Sequence, residues 1–361
     1  MTPTIMSFNM TQCKEAAETV RGIFYLAPSV LNSCSAIGSF FVFGMIYVHF
    51  RLRIYYHSNA KILMGLNVFS FLLLSTASLI AYTYVFINAL LAGHDCDYLF
   101  HTSNCTHLRR VFLFSIMLTT LSHAALVLER AYATYKLGQY EHMGARIGIT
   151  AAAFCVVFSY ITVTMITSVE DSSEMLTNCL AFSSSPSIGG GVYDMFWFQL
   201  VLEVVTWTVY LYLMNHHRKT WVREETEGHL GDRFQITENE AILRQLGPLI
   251  LTSSAIISLY IVTASTGRLF RPHFTLPHYK QFLSIIFVMP HNSLISMTLY
   301  YFLFKWAFED KKRRMEHTLT SPQTQRRSYI EELQQFWNDH YKKKEKNAGR
   351  PTVDRREYLV V

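Results

Sequence analysis

Charge is what this sequence has least of. Only 16% of its 361 residues are Asp, Glu, Lys or Arg, while half are hydrophobic and 14% aromatic. That balance is too apolar for an ordinary soluble domain of this size and points to a membrane protein. Several chemistries are missing as well. No glycine-rich phosphate loop, no nucleophile elbow and no paired catalytic carboxylates occur, so an enzyme is not expected. No basic face recurs along the apolar segments. The net charge of +6 gathers near the C-terminus, in "KWAFEDKKRR" and "HYKKKEKNAGR", which argues against a nucleic-acid partner. The first 22 residues carry Lys14, Glu15, Glu18 and Arg21 and lack an apolar centre, so no cleavable signal peptide is expected and the first span does its own targeting. No repeat of solenoid period and no second soluble domain stand out.

What is present is a series of long apolar runs. Crossing a hydrocarbon layer of about 30 Å takes about 20 residues, and seven runs qualify: 23–50, 61–90, 108–128, 147–168, 193–213, 246–265 and 281–304. Each reads as a helix, because a helix satisfies its backbone hydrogen bonds where lipid offers none. The expectation is an all-α membrane protein, a seven-helix bundle over 23–304 between an N-terminal segment, 1–22, and a tail, 305–361.

With the N-terminus outside, the segments on the inner side hold 3, 3, 5 and 14 lysines and arginines, 25 of the 32, in agreement with the positive-inside rule. The N-x-[ST] sequons at Asn9 and Asn104 then both fall outside, as glycan acceptors must. Cys13, Cys96, Cys105 and Cys179 fall outside too, in the compartment where disulfides persist. Four cysteines permit three pairings, and sequence does not choose among them. Cys105 with Cys179 is favoured, since it would tie the head of the third span to the second outer loop.

The third span ends on "LVLERAYAT", an adjacent acid and base after some twenty uncharged positions. Arg130 stands 25 residues beyond Cys105, about 37 Å along a helix, so the two mark opposite ends of one crossing. Ser115, Thr119, Ser122 and Arg130 share one side of that helix, which should face the bundle. Arg130 can then hold neighbouring helices through Glu129, loop carbonyls or an acid of the sixth span. An arginine that snorkels to headgroups and favours the helix C-terminus is the plainer alternative. In the fifth span Glu203 sits mid-membrane, where an ionised carboxylate costs at least about 2.5 kcal/mol. It contacts ligand, locks onto His291 or Asn292, or is a protonated carboxyl bonded to a neighbouring helix. His123 and His291 are too few for a metal site, which needs at least three ligands. No metal or cofactor is expected.

The motifs "LERAYAT" (128–134), "FQITENEAILRQLGPL" (234–249) and "MPHNSLISMTLYY" (289–301) resemble those of the nematode serpentine chemoreceptors of the Sra superfamily, classes alpha, beta, alpha-beta and epsilon, with alpha-beta favoured. The likeness spans nearly the whole chain apart from the last ~40 residues. It departs from the rhodopsin-like pattern: Glu129-Arg130-Ala131-Tyr132 replaces an acid-Arg-Tyr triplet, the sixth span lacks Cys-Trp-x-Pro, and Pro290-His291-Asn292 stands where Asn-Pro-x-x-Tyr would be. The resemblance implies a chemosensory G-protein-coupled receptor in the plasma membrane, either of the cell body or of a sensory cilium. Its partners would be a small chemical cue and a heterotrimeric G protein. The cue would bind in the outer half of the bundle, among Phe114, Ser115, Met117, Trp197, Gln199, Glu203, Tyr260 and Phe287, residues that serve equally as interhelical packing. Switch and coupling roles would fall to Glu129, Arg130, Tyr132, Glu238, Asn239, Pro290 and Asn292, with Arg218, Lys219 and Arg223 on the third inner loop. Pro248 and Pro290 remove backbone bonds and permit kinks. A short amphipathic helix is expected after residue 304 on the inner leaflet. Further on, "SYIEELQQFWNDHY", begun by a capping box of Ser328 and Glu331, reads equally as a partner-docking helix or as part of a disordered tail. A seven-span transporter or ligand-gated channel subunit is the alternative.

Overall fold

A computed structural model describes residues 10–50, 57–136, 140, 144–171, 173–180, 185, 187–224, 230–320, 334 and 337–338. The chain folds as nine α-helices and one two-stranded ribbon among the described residues. A short helix, α1 (Met10–Arg21), precedes α2 (Ile23–Phe50) and α3 (Ser58–Leu91). β1 (Phe100–His101) leads into α4 (Thr106–Tyr135), followed by α5 (Arg146–Thr167) and β2 (Met175–Leu176). Then come α6 (Gly189–Glu224), α7 (Leu230–Leu269), α8 (Leu276–Ile286) and α9 (Met289–Thr320). Seven stretches are long and apolar enough to cross a membrane, the last made of α8 and α9 together.

Run length locates these helices well at the lipid level and badly beyond it. α6 and α7 have 36 and 40 residues, roughly 54 and 60 Å at 1.5 Å per residue, so both project past the hydrocarbon layer at the Arg130 end. α7 starts sixteen positions before the apolar run that marks it, in a polar stretch that hydropathy does not score. The seventh span is not one helix: α8 stops at Ile286 and α9 begins at Met289. Pro290 sits at the second position of α9, where its missing N–H has no helical acceptor to lose. Non-helical backbone at membrane depth is tolerated where protein buries it, and Phe287 and Met289 are 7% and 1% exposed. Pro28 and Pro248 lie within helices that continue past them. α9 runs on through Lys305 to Thr320, so no helix boundary falls at 304 where a separate amphipathic helix was expected. The capping box of Ser328 and Glu331 lies outside the described residues.

α4 is the central helix. Of its most apolar window 78% is buried, against 17% for α5, which leaves α4 surrounded by protein and α5 facing lipid. The bundle interior has two apolar clusters. One, toward the disulfide end, holds Tyr82, Phe112, Met117, Phe196, Tyr260 and Phe287. The other, toward Arg130, holds Phe71, Leu126, Tyr210, Leu246, Met297 and Tyr300. Between them every central helix contributes hydrogen-bonding side chains. Asn67 Nδ2 donates to Ser122 Oγ at 2.6 Å, and Tyr300 donates to Asn67 Oδ1 at 2.8 Å. Ser70 and Thr119 hydroxyls meet at 2.8 Å, and Asn292 Nδ2 donates to Ser253 at 3.1 Å.

At the disulfide end a lid closes the bundle. Cys105 is bonded to Cys179 and Cys13 to Cys96. The β1–β2 ribbon pairs Phe100 with Leu176 and His101 with Met175. Beneath it Arg109 Nη1 donates to Glu170 Oε1 at 2.5 Å, with both side chains almost fully buried. The Cys13–Cys96 bond holds α1 against the loop that leads into the ribbon.

Helix approach at the other end depends on glycine. A Cβ on Gly148 would stand 2.7 Å from Asn59 Cα and 2.9 Å from its carbonyl oxygen, backbone atoms that cannot swing aside. Gly148→Ala should push α5 from α3 at a cost of about 1–3 kcal/mol. Gly44→Ala, with nothing within 4 Å, should not lower stability. Thermal unfolding of the purified full-length protein checks this, and equal midpoints for the two variants would refute the close contact.

Candidate functional site

Three places along α4 gather side chains whose chemistry exceeds packing, one at each end and one midway. At its foot Arg130 is 1% exposed and Glu129 3%. Arg130 Nε and Nη2 both reach the Glu129 carboxylate, a bidentate pair. Its Nη1 donates to Asn239 Oδ1 on α7 at 2.9 Å, and Nη2 reaches the Tyr140 hydroxyl at 3.3 Å. Tyr140 also donates to Glu129 and accepts from Asn59 Nδ2 of α3 at 2.9 Å. Asn59 Oδ1 in turn accepts from the Gly148 backbone N–H at 2.9 Å. One buried ion pair therefore fastens α3, α4, α5 and α7. Breaking such a network strands a charge away from water, which makes it a two-position latch more than a graded one.

In the middle, Glu203 of α6 is 1% exposed and accepts from the Ser254 hydroxyl of α7. His123 Nδ1 of α4 stands 3.6 Å from Glu203 Oε1, beyond hydrogen-bond reach. Neither His123 nitrogen has a hydrogen-bond partner among the described residues. An approach of α4 to α6 by a few tenths of an ångström would bring the imidazole within hydrogen-bond range of the acid. Glu203 does not meet the seventh span: His291 Nδ1 lies 2.6 Å from the Ser35 hydroxyl on α2, and Asn292 bonds Ser253.

At the disulfide end a cavity of about 50 Å³ lies under the lid, lined by Tyr25, Tyr82, Asn178, Tyr260, Lys280 and Phe287 among others. Aromatic rings floor it: Phe287 stacks on Phe112 at 5.5 Å and meets Tyr260 edge-on at 5.9 Å.

A sequence profile described as serpentine type 7TM GPCR receptor class ab chemoreceptor matches residues 10–338. The chain belongs to this family. It is 34% identical over 290 residues to serpentine receptor class alpha-39 of Caenorhabditis elegans, covering 79% of this chain and 76% of the relative. Serpentine receptor class beta-17 of the same nematode is 26% identical over 245 residues, 67% of this chain and 66% of the relative. The chain is thus a seven-span serpentine receptor of the plasma membrane, in a receptor family and not an enzyme family.

Of the eight ligand candidates named from sequence, the receptor places only Tyr260 and Phe287 on the cavity wall. Ser115, Met117, Gln199 and Glu203 are buried between helices below it. Ser115 donates to the Val111 carbonyl, and Gln199 Nε2 points at Met117 Sδ, 3.7 Å away. Phe114 is partly buried against the upper apolar cluster. Trp197 is 50% exposed, on the face of α6 turned to lipid. Of the coupling candidates, Glu129, Arg130 and Asn239 come together, with the Tyr132 ring edge-on to Tyr140. Pro290 and Asn292 lie on α9, away from them. The side chains of Arg218, Lys219, Arg223 and Glu238, and all of Asn9, lie outside the described residues. Asn104 is exposed beside Cys105.

Sequence reasoning missed Tyr140 and Asn59. A tyrosine eleven positions after the acid, in a polar connection, carries no pattern of its own. Burial, followed by the neighbouring Glu129 carboxylate, raises the Tyr140 phenol above its ordinary value. A phenol kept protonated in the folded state contributes stability that is complete below the unfolded value of about 10 and is lost as pH rises past it. Tyr140→Phe should lower stability near neutral pH by about 1–3 kcal/mol, since the buried Glu129–Arg130 pair loses a partner. It should also flatten the loss of stability above pH ~10. Thermal unfolding across this pH range tests both; a variant as stable as the parent near neutrality would disprove the bonding role.

Proposed function

We propose that this protein is a chemosensory G-protein-coupled receptor that binds a small chemical cue near the disulfide end of the bundle and signals from the Arg130 end to a heterotrimeric G protein. In this reading the N-terminus and the lid face outward, with Asn9 and Asn104 as glycan acceptors, and the C-terminal tail faces the cytoplasm. The observation that carries the proposal is the latch of Arg130 on Glu129, Tyr140 and Asn239. It closes the inner end of α4 and α7 with a buried charge, at the place where a receptor opens to admit its G protein. Family membership supports it, as does the separation of this latch from the cavity by the whole length of α4.

Asn239→Ala removes the α7 side of the latch and leaves the Glu129–Arg130 pair intact. Losing one hydrogen bond to a charged group, worth about 1.5–3 kcal/mol, should raise the population of the open form by roughly ten- to a hundredfold. Basal calcium or cAMP signalling in cells expressing the receptor at matched surface density should rise accordingly. Basal signalling at or below the parent level would count against the latch. The orientation is tested separately by treating the receptor with endoglycosidase: Asn104→Gln should remove one glycan, and a cytoplasmic Asn104 would overturn the topology.

A further inference from the structure

Among the described residues Lys280 is the one charged residue on the cavity wall. It lies on α8, one turn into the seventh span, beneath the lid. Its ammonium has three donors and no acceptor capacity, and it forms no ion pair within 4 Å among the described residues. The carboxylates that act on it at longer range are Glu15 of α1 and Glu174 of the lid. Glu174 is committed elsewhere, since its Oε2 accepts from Ser185 at 2.8 Å and Ser187 at 2.7 Å. Across the cavity the buried Tyr25 hydroxyl faces Asn178 and makes no hydrogen bond of normal geometry among the described residues. The wall therefore brings together a partly buried ammonium with no ion pair within 4 Å among the described residues and a buried phenol without a hydrogen bond there. A partly desolvated ammonium of this kind favours a counter-charge.

We propose that Lys280 is the anion-recognising group of a ligand subsite, and that this subsite takes a short-chain carboxylate. The inference rests on the receptor reading above and specifies the chemistry of its cue. One cation and one phenol match a singly charged group with two oxygens. A phosphate ester, with its second charge, would need a second cation, and the described residues of the cavity wall supply none. Leu180, Leu283 and Phe287 supply apolar wall for a few methylenes. At about 50 Å³ the space suits a headgroup the size of roughly three or four waters, which favours chains of two to four carbons.

The test uses the full-length receptor in lipid nanodiscs, with thermal unfolding in sodium acetate or sodium butyrate against sodium chloride of equal ionic strength and against methyl butyrate. The expected result is a saturable rise of the unfolding midpoint with butyrate, absent with chloride and with the ester. Lys280→Gln and Lys280→Met should abolish that rise or weaken the apparent affinity at least tenfold. Both should also unfold at or above the parent midpoint without ligand, because a partly desolvated ammonium without an ion pair is gone. Lys280→Arg should retain part of the response. A parent that does not distinguish butyrate from chloride overturns the proposal. So does a butyrate response that persists in Lys280→Gln, or a ligand-free midpoint that falls in both neutral variants, which would make Lys280 a structural ion-pair partner. Because the readout is binding and not signalling, its failure removes the carboxylate subsite and leaves the receptor reading untouched. Failure of G-protein signalling does the reverse.

Discussion

The organisation of the bundle depends on a layer of hydrogen-bonding side chains halfway through the membrane. Lipid tails are as apolar as leucine, so burial alone gives helices little reason to prefer each other over lipid. A polar group, by contrast, has no partner outside the bundle. Asn67, Ser70, Thr119, Ser122, Glu203, Ser253, Ser254 and Asn292 lie between the two apolar clusters and bond one another across α3, α4, α6, α7 and α9. Each such bond has a modest net worth of about 0.6–2 kcal/mol. What it fixes is register: sliding any of these helices by one turn would leave an amide or a carboxyl facing hydrocarbon. The same requirement places α4 in the centre, because its polar positions occupy more than one face and only a surrounded helix keeps them all from lipid.

The two ends of α4 are held differently, and the contrast follows from their chemistry. At one end the fastening is covalent: Cys105 bonds Cys179, reinforced by a buried Arg109–Glu170 pair. At the other it is electrostatic, Arg130 shared among Glu129, Tyr140 and Asn239. A disulfide holds its partners covalently, while a hydrogen-bonded ion pair can exchange them. The links joining α3, α5 and α7 at the Arg130 end are therefore the reversible ones. The discontinuity between α8 and α9 lies beside the cavity, in the one span whose backbone is interrupted at membrane depth.

How much of this was legible in the sequence follows from where hydrophobicity carries information. The seven crossings were, because about 20 apolar residues in a row have few other uses. The inward stripe of α4 was too, since Ser115, Thr119, Ser122 and Arg130 fall on one helical face and all are buried. Trp197 was not, and the reason is general: on a lipid-facing helix both sides are apolar, so an aromatic residue gives no clue to direction. Glu203 was legible as a costly residue needing a partner, but its partner was not. Ser254 and His123 come from helices whose rotation no single sequence reveals. The ends of α6 and α7 escaped because hydropathy stops at the interface while helical hydrogen bonding does not. Lys280 was visible only as one more charge near a span, its burial a product of α8, the lid and α1 meeting above it.

His123 and Glu203 connect the two ends. They stand 3.6 Å apart at the level of the polar layer, on α4 and α6, with Ser254 of α7 already bonded to the acid. Both imidazole nitrogens lack a bond among the described residues, so the arrangement is under-satisfied in a place where under-satisfaction is costly. A closer approach of α4 to α6 would pair the imidazole with the carboxylate, and a rotation of α7 would withdraw Ser254. The helix that carries Ser254 also carries Tyr260 at the cavity and Asn239 at the latch. One helix thus touches cavity wall, polar layer and the Arg130 network in turn. In the receptor reading proposed above, rotation of α7 would alter the contacts at all three, with Pro248 as the point where its two halves can turn separately.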